Sequence, residues 1–371
     1  MKKALLFIIM ILMISSFSVF AEEEYMESTM ENAIVLEAGE AQASEEYGGN
    51  IQYQDVKLKI TSGKYKDEVL EIENHIPDND AYSIYVKKGD KVVVMVDEYE
   101  GYHEVYIADF ARTNYIIYLA ILFILIILVV GKMKGFKAII SLTITIASVF
   151  YILLPQILKG ANPIPISIAI SIGVTIITIF LVSGINNKSI AAIIGTSMGV
   201  IIAGLISYYV GVKIHLTGLS AEEATMLMYI PQEVSFNFKN LLFSGIIIGS
   251  LGAIMDVGMS IASAIDEVHS VNNNLTTKEL FNSGMNVGKD VMGTMTNTLI
   301  LAYTGSSIPL LLLFMAYETS LTEIMNLDII ATEVIRSLSG SIGLVLTIPI
   351  TALVTSILIK KQKPMEEEKN E

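Results

Sequence analysis

A helical membrane protein of several spans, carrying a small all-β domain at its N-terminal end, is the fold class the sequence predicts. Three observations predict it. Of 371 residues, 53% are hydrophobic and only 17% charged, with a mean hydropathy of +0.59, whereas a soluble domain carries about a quarter charged residues. The net charge is nevertheless -14, and it is concentrated, because residues 22–111 hold 22 acidic and 7 basic side chains. Beyond residue 112, apolar runs of membrane-crossing length come one after another. This segregation excludes a soluble enzyme, a disordered chain and a nucleic-acid binder, since no basic face exists to neutralise phosphates. With no Cys in the chain, neither disulfides nor thiolate metal sites can form.

Taken in order, Lys2 and Lys3 precede an apolar run from Ala4 to Met13, and Ser15, Ser16 and Ser18 lead into Val19-Phe20-Ala21. A basic start, a short apolar core and small residues before a cut form the pattern of a secretory signal, so residues 1–21 are expected to be removed. The segment from Glu22 to Ala111 is then outside the membrane. Residues 22–50 are acidic, offer little to bury, and are expected to be flexible. Residues 51–111 read as strands. Ile51–Ile60 alternates polar and apolar positions, and Lys91–Val96 and Val105–Phe110 are rich in β-branched and aromatic residues. Turn signals at Ser62-Gly63, Pro77-Asp78-Asn79-Asp80, Lys88-Gly89-Asp90 and Glu100-Gly101 separate them. Short strands at this spacing predict a small barrel of the OB or SH3 kind.

Residues 112–360 form the expected transmembrane domain. Runs at about 114–131, 138–157, 163–184, 189–210, 240–264, 291–317 and 340–359 each meet the requirement of about 20 residues per helix. Seven spans with the β domain outside put ten Lys on the inner side and three Lys and one Arg on the outer side, in accord with the positive-inside rule. The charged tail 361–371 is then expected on the cytoplasmic side of a plasma membrane. Gly305-Ser-Ser-Ile-Pro309 interrupts the sixth run. Two crossings there would send the tail outside, so a broken or re-entrant helix is expected. Unwound backbone is also expected at Asn162-Pro163-Ile164-Pro165 and Ile348-Pro349. Ala221–Tyr229 and Ile324–Ile335 are amphipathic and expected to lie at the interface.

The informative residues lie between Gly245 and Thr304. Gly245, Gly249, Gly252, Asp256, Ser260, Ser263 and Glu267 recur in steps of three or four, so all seven share one helix face. The glycines are of the kind that lets helix backbones approach, and the lower part of the face is acidic. The next span repeats the design with Asn286, Asp290, Gly293 and Asn297, with Lys289 and Thr294 nearby, after a polar loop expected over Ser270 to Ser283. An Asp at membrane depth costs about 2.5–3.5 kcal/mol on insertion scales, so it must face a partner, a cavity or an ion.

The runs Gly252–Glu267 and Ser283–Tyr303 closely resemble the YibE/F family of bacterial multi-spanning membrane proteins, and the likeness extends more loosely over the whole chain, including the Lys88-Gly89-Asp90 turn. The resemblance, closest over about 245–317, implies architecture rather than activity. A permease is the role it suggests, and it supplies no catalytic residue.

The residues therefore point first to a permease or channel-like protein in which Asp256, Ser260, Ser263, Glu267, Asn286, Asp290, Thr294 and Asn297 line a path for an ion or small solute, with Gly245, Gly249, Gly252 and Gly293 packing helices. A proton or monovalent cation, the bilayer and a second copy of the chain are the expected partners. No cofactor, resident metal, nucleic acid or ATP site is expected, since no Walker loop occurs. One alternative is a sensor or assembly factor whose outer β domain binds a partner. Another is an intramembrane hydrolase using Asp256 and Asp290, or Asp266, Glu267, His269 and Asp290 around a metal; no His pair at ligand spacing supports the metal.

Overall fold

The computed structural model describes residues 28–43, 51–77, 83–99, 102–230 and 234–361. The signal expected over 1–21 and nearly all of the tail lie outside them. The chain divides into two compact units, 1–123 and 124–371.

In the first unit, strands β1 (Ser28–Ala38), β2 (Gln42–Ala43), β3 (Ile51–Ile60), β4 (Val69–Pro77), β5 (Lys91–Tyr99) and β6 (Tyr102–Phe110) form one antiparallel sheet. Its order is β2-β3-β1-β5-β6, with β4 paired to β3. Alternation decides which face is inside. Val92, Val94 and Val96 of β5 point the same way and meet Val35 of β1 and Val56, Leu58 and Ile60 of β3 in a common core. Buried Gln54 is fully used, its Nε2 donating to the Gly39 and Val86 carbonyls at 2.9 Å and its Oε1 accepting from Val86 N. The β4 and β6 edges do not pair, yet Leu70, Ile72, His75, His103, Val105 and Tyr106 line one groove, so the sheet curls into an open barrel. On the outer face, Lys57–Glu71, Lys59–Asp67 and Lys64–Glu98 pair at 2.8, 2.7 and 2.6 Å. Each lysine's hydrogen bond holds its carboxyl below the usual carboxylate range.

The stretch expected to be flexible over 22–50 differs. Its residues 28–38 are β1, which lies between β3 and β5. Only Ala33 and Val35 are deeply buried in it, too few to mark a strand locally, and its order comes from ladders to residues 56–60 and 91–97.

Helices of the second region are α1 (Thr113–Ser148), α2 (Leu154–Leu158), α3 (Pro163–Ser183), α4 (Asn187–Lys213), α5 (Glu222–Met226), α6 (Phe238–Val271), α7 (Thr277–Ser306), α8 (Ile308–Ala316), α9 (Leu321–Asn326) and α10 (Asp328–Lys361). Five helices are long and apolar enough to cross a bilayer, and the bent pair α7–α8 makes a sixth. The first runs through α1 and a π turn (Val149–Leu153) to Leu158, 46 residues in all, or about 69 Å at 1.5 Å per residue. That is more than twice a hydrocarbon core of about 30 Å. Lys132 (φ 47°) breaks it, and the chain reverses so sharply that a Cβ at Gly135 would overlap the Ile127 carbonyl. The seventh expected run arises from this division.

The break at residues 305–309 is present as a 60° bend between α7 and α8. The other two expected breaks are not. Asn162 is a helix start, its Oδ1 accepting from Ile164 N at 3.2 Å, with Pro163 in the first turn where no N–H is needed. Pro349 lies inside α10, which continues past it. The polar loop shrinks to residues 272–276, because a Thr276–Glu279 capping box starts α7 early. Ala221–Tyr229 contains α5 and a 3-10 turn as expected. The second amphipathic stretch is split between α9 and the first turns of α10, where Ile330, Thr332 and Ile335 are buried.

Candidate functional site

The centre of the helical unit is built by close approach. α4 lies along α10 and α6, and α7 packs on α6 and α10. A Cβ at Gly195 would overlap Thr351, one at Gly199 would overlap Thr347, and one at Gly258 would meet Thr196 Oγ1 at 2.6 Å. Gly284 and Gly288 of α7 are equally filled by Ile265 and Ile348. Three of the buried hydroxyls of α10 turn back on their own helix, with Thr347, Thr355 and Ser356 donating to the carbonyls of Gly343, Thr351 and Ala352 at 2.9, 2.6 and 2.7 Å. Sequence reading missed this seam. Its signals were Gly195 and Gly199, four apart, and Thr347, Thr351 and Thr355, also four apart.

Because Ile246, Ile247, Ile254, Val257, Ile261 and Ile265 face that core, the opposite face of α6 faces away from it. There stand Gly245, Gly249, Gly252, Asp256, Ser260 and Glu267, all exposed, with Ser263 half-buried. On α7 the pattern repeats, with Asn286, Lys289, Asp290, Gly293, Thr294 and Asn297 all exposed. The glycines therefore differ from expectation. No heavy atom lies within 4 Å of a Cβ built at Gly245, Gly252 or Gly293, and at Gly249 only the Tyr303 hydroxyl does, at 3.4 Å. Gly245, Gly252 and Gly293 pack no helix among the described residues, and Gly249 meets only Tyr303. The polar side chains are equally open. Asp256, Ser260, Ser263, Glu267, Asn286, Lys289, Asp290 and Asn297 make no side-chain hydrogen bond or ion pair among the described residues, and Thr294 donates only to the Val291 carbonyl at 3.0 Å.

The α6–α7 hairpin sets the heights. Ile265 against Gly284, Ile261 against Gly288 and Gly249 against Tyr303 fix an antiparallel register that puts Asp256 level with Gly293. Asp290 is then about one turn away, about 5 Å along the axis. Asp256 also lies on the wall of a cavity of about 480 Å³ between α1, α3 and α6, whose lining includes Ala138, Leu142, Ile170, Val182, Ile248 and Met259.

Two family models match this chain. A YibE/F-like protein model covers residues 119–361 and a YibE/F family N-terminal domain model covers residues 30–110. The chain belongs to the YibE/F family. No curated protein and no solved structure shows significant similarity to it. Both parts of this YibE/F protein, the sheet and the helical region, are thus family features, and the two open faces fall within the longer match.

The residues set aside for a metal hydrolase are not assembled. Asp266 pairs instead with Lys188 at 2.8 Å, and among the described residues no three His, Asp or Glu side chains are close enough to hold a metal ion. With Lys360 Nζ donating to the Asn273 carbonyl at 2.9 Å and Asn187 Nδ2 to the Leu358 carbonyl at 3.1 Å, that pair ties α4, α6 and α10 together at one end. At the other end, Asp328 accepts from Thr217 N at 3.2 Å and from Thr217 Oγ1 at 2.7 Å.

Proposed function

We propose that this YibE/F protein is a permease or channel-like protein of the plasma membrane, with the open faces of α6 and α7 lining a path for a cation or proton. The observation that carries the reading is the absence of partners for Asp256, Lys289, Asp290 and Asn297 among the described residues. Side chains that serve as packing glue bond to neighbouring helices, and these do not. Left against lipid, each carboxylate would cost about 2.5–3.5 kcal/mol on insertion scales, so water, an ion or a second copy of the chain must meet this face. A second copy laid against it would enclose the path. Two carboxylates within about one turn of height on neighbouring helices give the path positions at which a proton or monovalent ion is held and released. The excess of Lys on the inner side supports an outer β domain and a cytoplasmic C-terminus.

The test is cation and proton flux into liposomes holding wild type, Asp256→Asn or Asp290→Asn. Both substitutions are isosteric and should abolish flux while leaving membrane insertion intact. Full flux in both variants would refute the reading.

A further inference from the structure

The cavity beside Asp256 has a composition that selects its ligand. Its volume of about 480 Å³ lies within the about 300–1,000 Å³ of small-molecule sites. Its walls are aliphatic, and the polar groups among them are occupied. Ser141 Oγ donates to Thr178 Oγ1 at 2.7 Å, and Thr145 Oγ1 donates to the Ser141 carbonyl at 2.9 Å. Asp256 is the one ionisable group in the lining among the described residues, and it has no partner among them. Gly252, one turn away on the same helix, also lines the cavity, and no atom lies within 4 Å of the space its side chain would fill. A site with greasy walls and a single unbonded carboxylate fits neither a hydrated divalent ion, which needs several oxygen ligands, nor a lipid tail, which leaves the carboxylate unmet.

We propose that this cavity binds an amphipathic organic cation, an apolar body carrying one positive charge, with its charge on Asp256 and its body against α1 and α3. The assignment rests on the permease reading and names the substrate class for it.

Opposite-charge isosteres test it. Tetraphenylphosphonium and tetraphenylborate share a shape and differ in sign, and each would be titrated against the full-length protein in nanodiscs, with binding to protein-free discs subtracted. Wild type is expected to bind the phosphonium at least tenfold more tightly than the borate. Asp256→Asn should lower phosphonium affinity at least tenfold and remove the preference. Leu142→Trp, at an exposed wall position of the cavity, should weaken binding of either ion while membrane insertion is unchanged. Equal binding of the two ions, or unchanged phosphonium affinity in Asp256→Asn, would overturn the proposal. If inorganic cation flux depends on Asp256 but the phosphonium does not bind, the substrate class falls and the permease reading stands. If the phosphonium binds with the predicted preference but no ion crosses, the permease reading falls and the site stands.

Discussion

Replacing Gly199 by Ala tests the helix packing on which the open face depends. A methyl at Gly199 would overlap Thr347 Oγ1 and lie 2.9 Å from Ile254 Cγ2 and 3.0 Å from the Gly343 carbonyl. The first can rotate aside, but the carbonyl belongs to the α10 backbone, so α4 and α10 must separate. Overpacking of this kind costs about 1–3 kcal/mol. The helical propensity of Ala over Gly returns about 0.8–1 kcal/mol, leaving a net loss of up to about 2 kcal/mol. Gly252→Ala meets nothing within 4 Å, so it keeps the propensity gain and should stabilise by up to about 1 kcal/mol. The two variants should therefore differ by about 1–3 kcal/mol, up to roughly a hundredfold in the unfolding equilibrium. Reversible unfolding of the purified protein in mixed micelles, monitored by circular dichroism, measures the difference. Equal destabilisation by the two variants would refute the reasoning, because α6 would then be packed along the face that bears Gly252.

Three other outcomes rest on the same geometry. The chain has no Cys, so single-Cys variants at Asn286 and Glu267 should react with a water-soluble maleimide, and one at buried Ala352 should not. Acidification should loosen the β sheet of the first unit. Asp67, Glu71 and Glu98 have pKa values lowered by their lysines, so their contribution is complete above the unfolded carboxylate value and is lost as pH falls through the lower folded value. Hydrogen exchange of β3 and β4 amides should rise over that range in wild type and much less in Lys57→Met/Lys59→Met. A reporter fused after Lys363 should report the cytoplasm, and an external signal would refute the odd span count.

Much of the fold was legible because it rests on local patterns. The β-branched run Lys91–Val96 marked β5, the Gly305–Pro309 sequence marked the α7–α8 bend, and continuous apolar runs marked the long helices. The failures are non-local. β1 is ordered by its ladders to β3 and β5 rather than by its own hydrophobicity. The division at Lys132 was marked by Lys132, Lys134 and Lys137 between two apolar runs, and only its form, a reversal at one positive-φ residue, needed the folded chain. At the candidate site, the helical spacing correctly put Asp256 with Ser260, and Asp290 with Asn297, on single faces. It could not tell which way those faces point. The small-residue stripe on α6 read as a packing seam, whereas the packed glycines include Gly195, Gly199, Gly258, Gly284 and Gly288. A spacing rule gives a face, and only the neighbouring helices decide whether that face is filled.

The claim that the open face of α7 lines the path is tested most directly by chemical block of flux. Asn297→Cys in the otherwise Cys-free chain, reconstituted in liposomes, would be treated with a membrane-impermeant cationic thiol reagent while cation flux is recorded. The account predicts that flux falls to the protein-free level and is restored by a reductant. Complete labelling with no change in flux would contradict it.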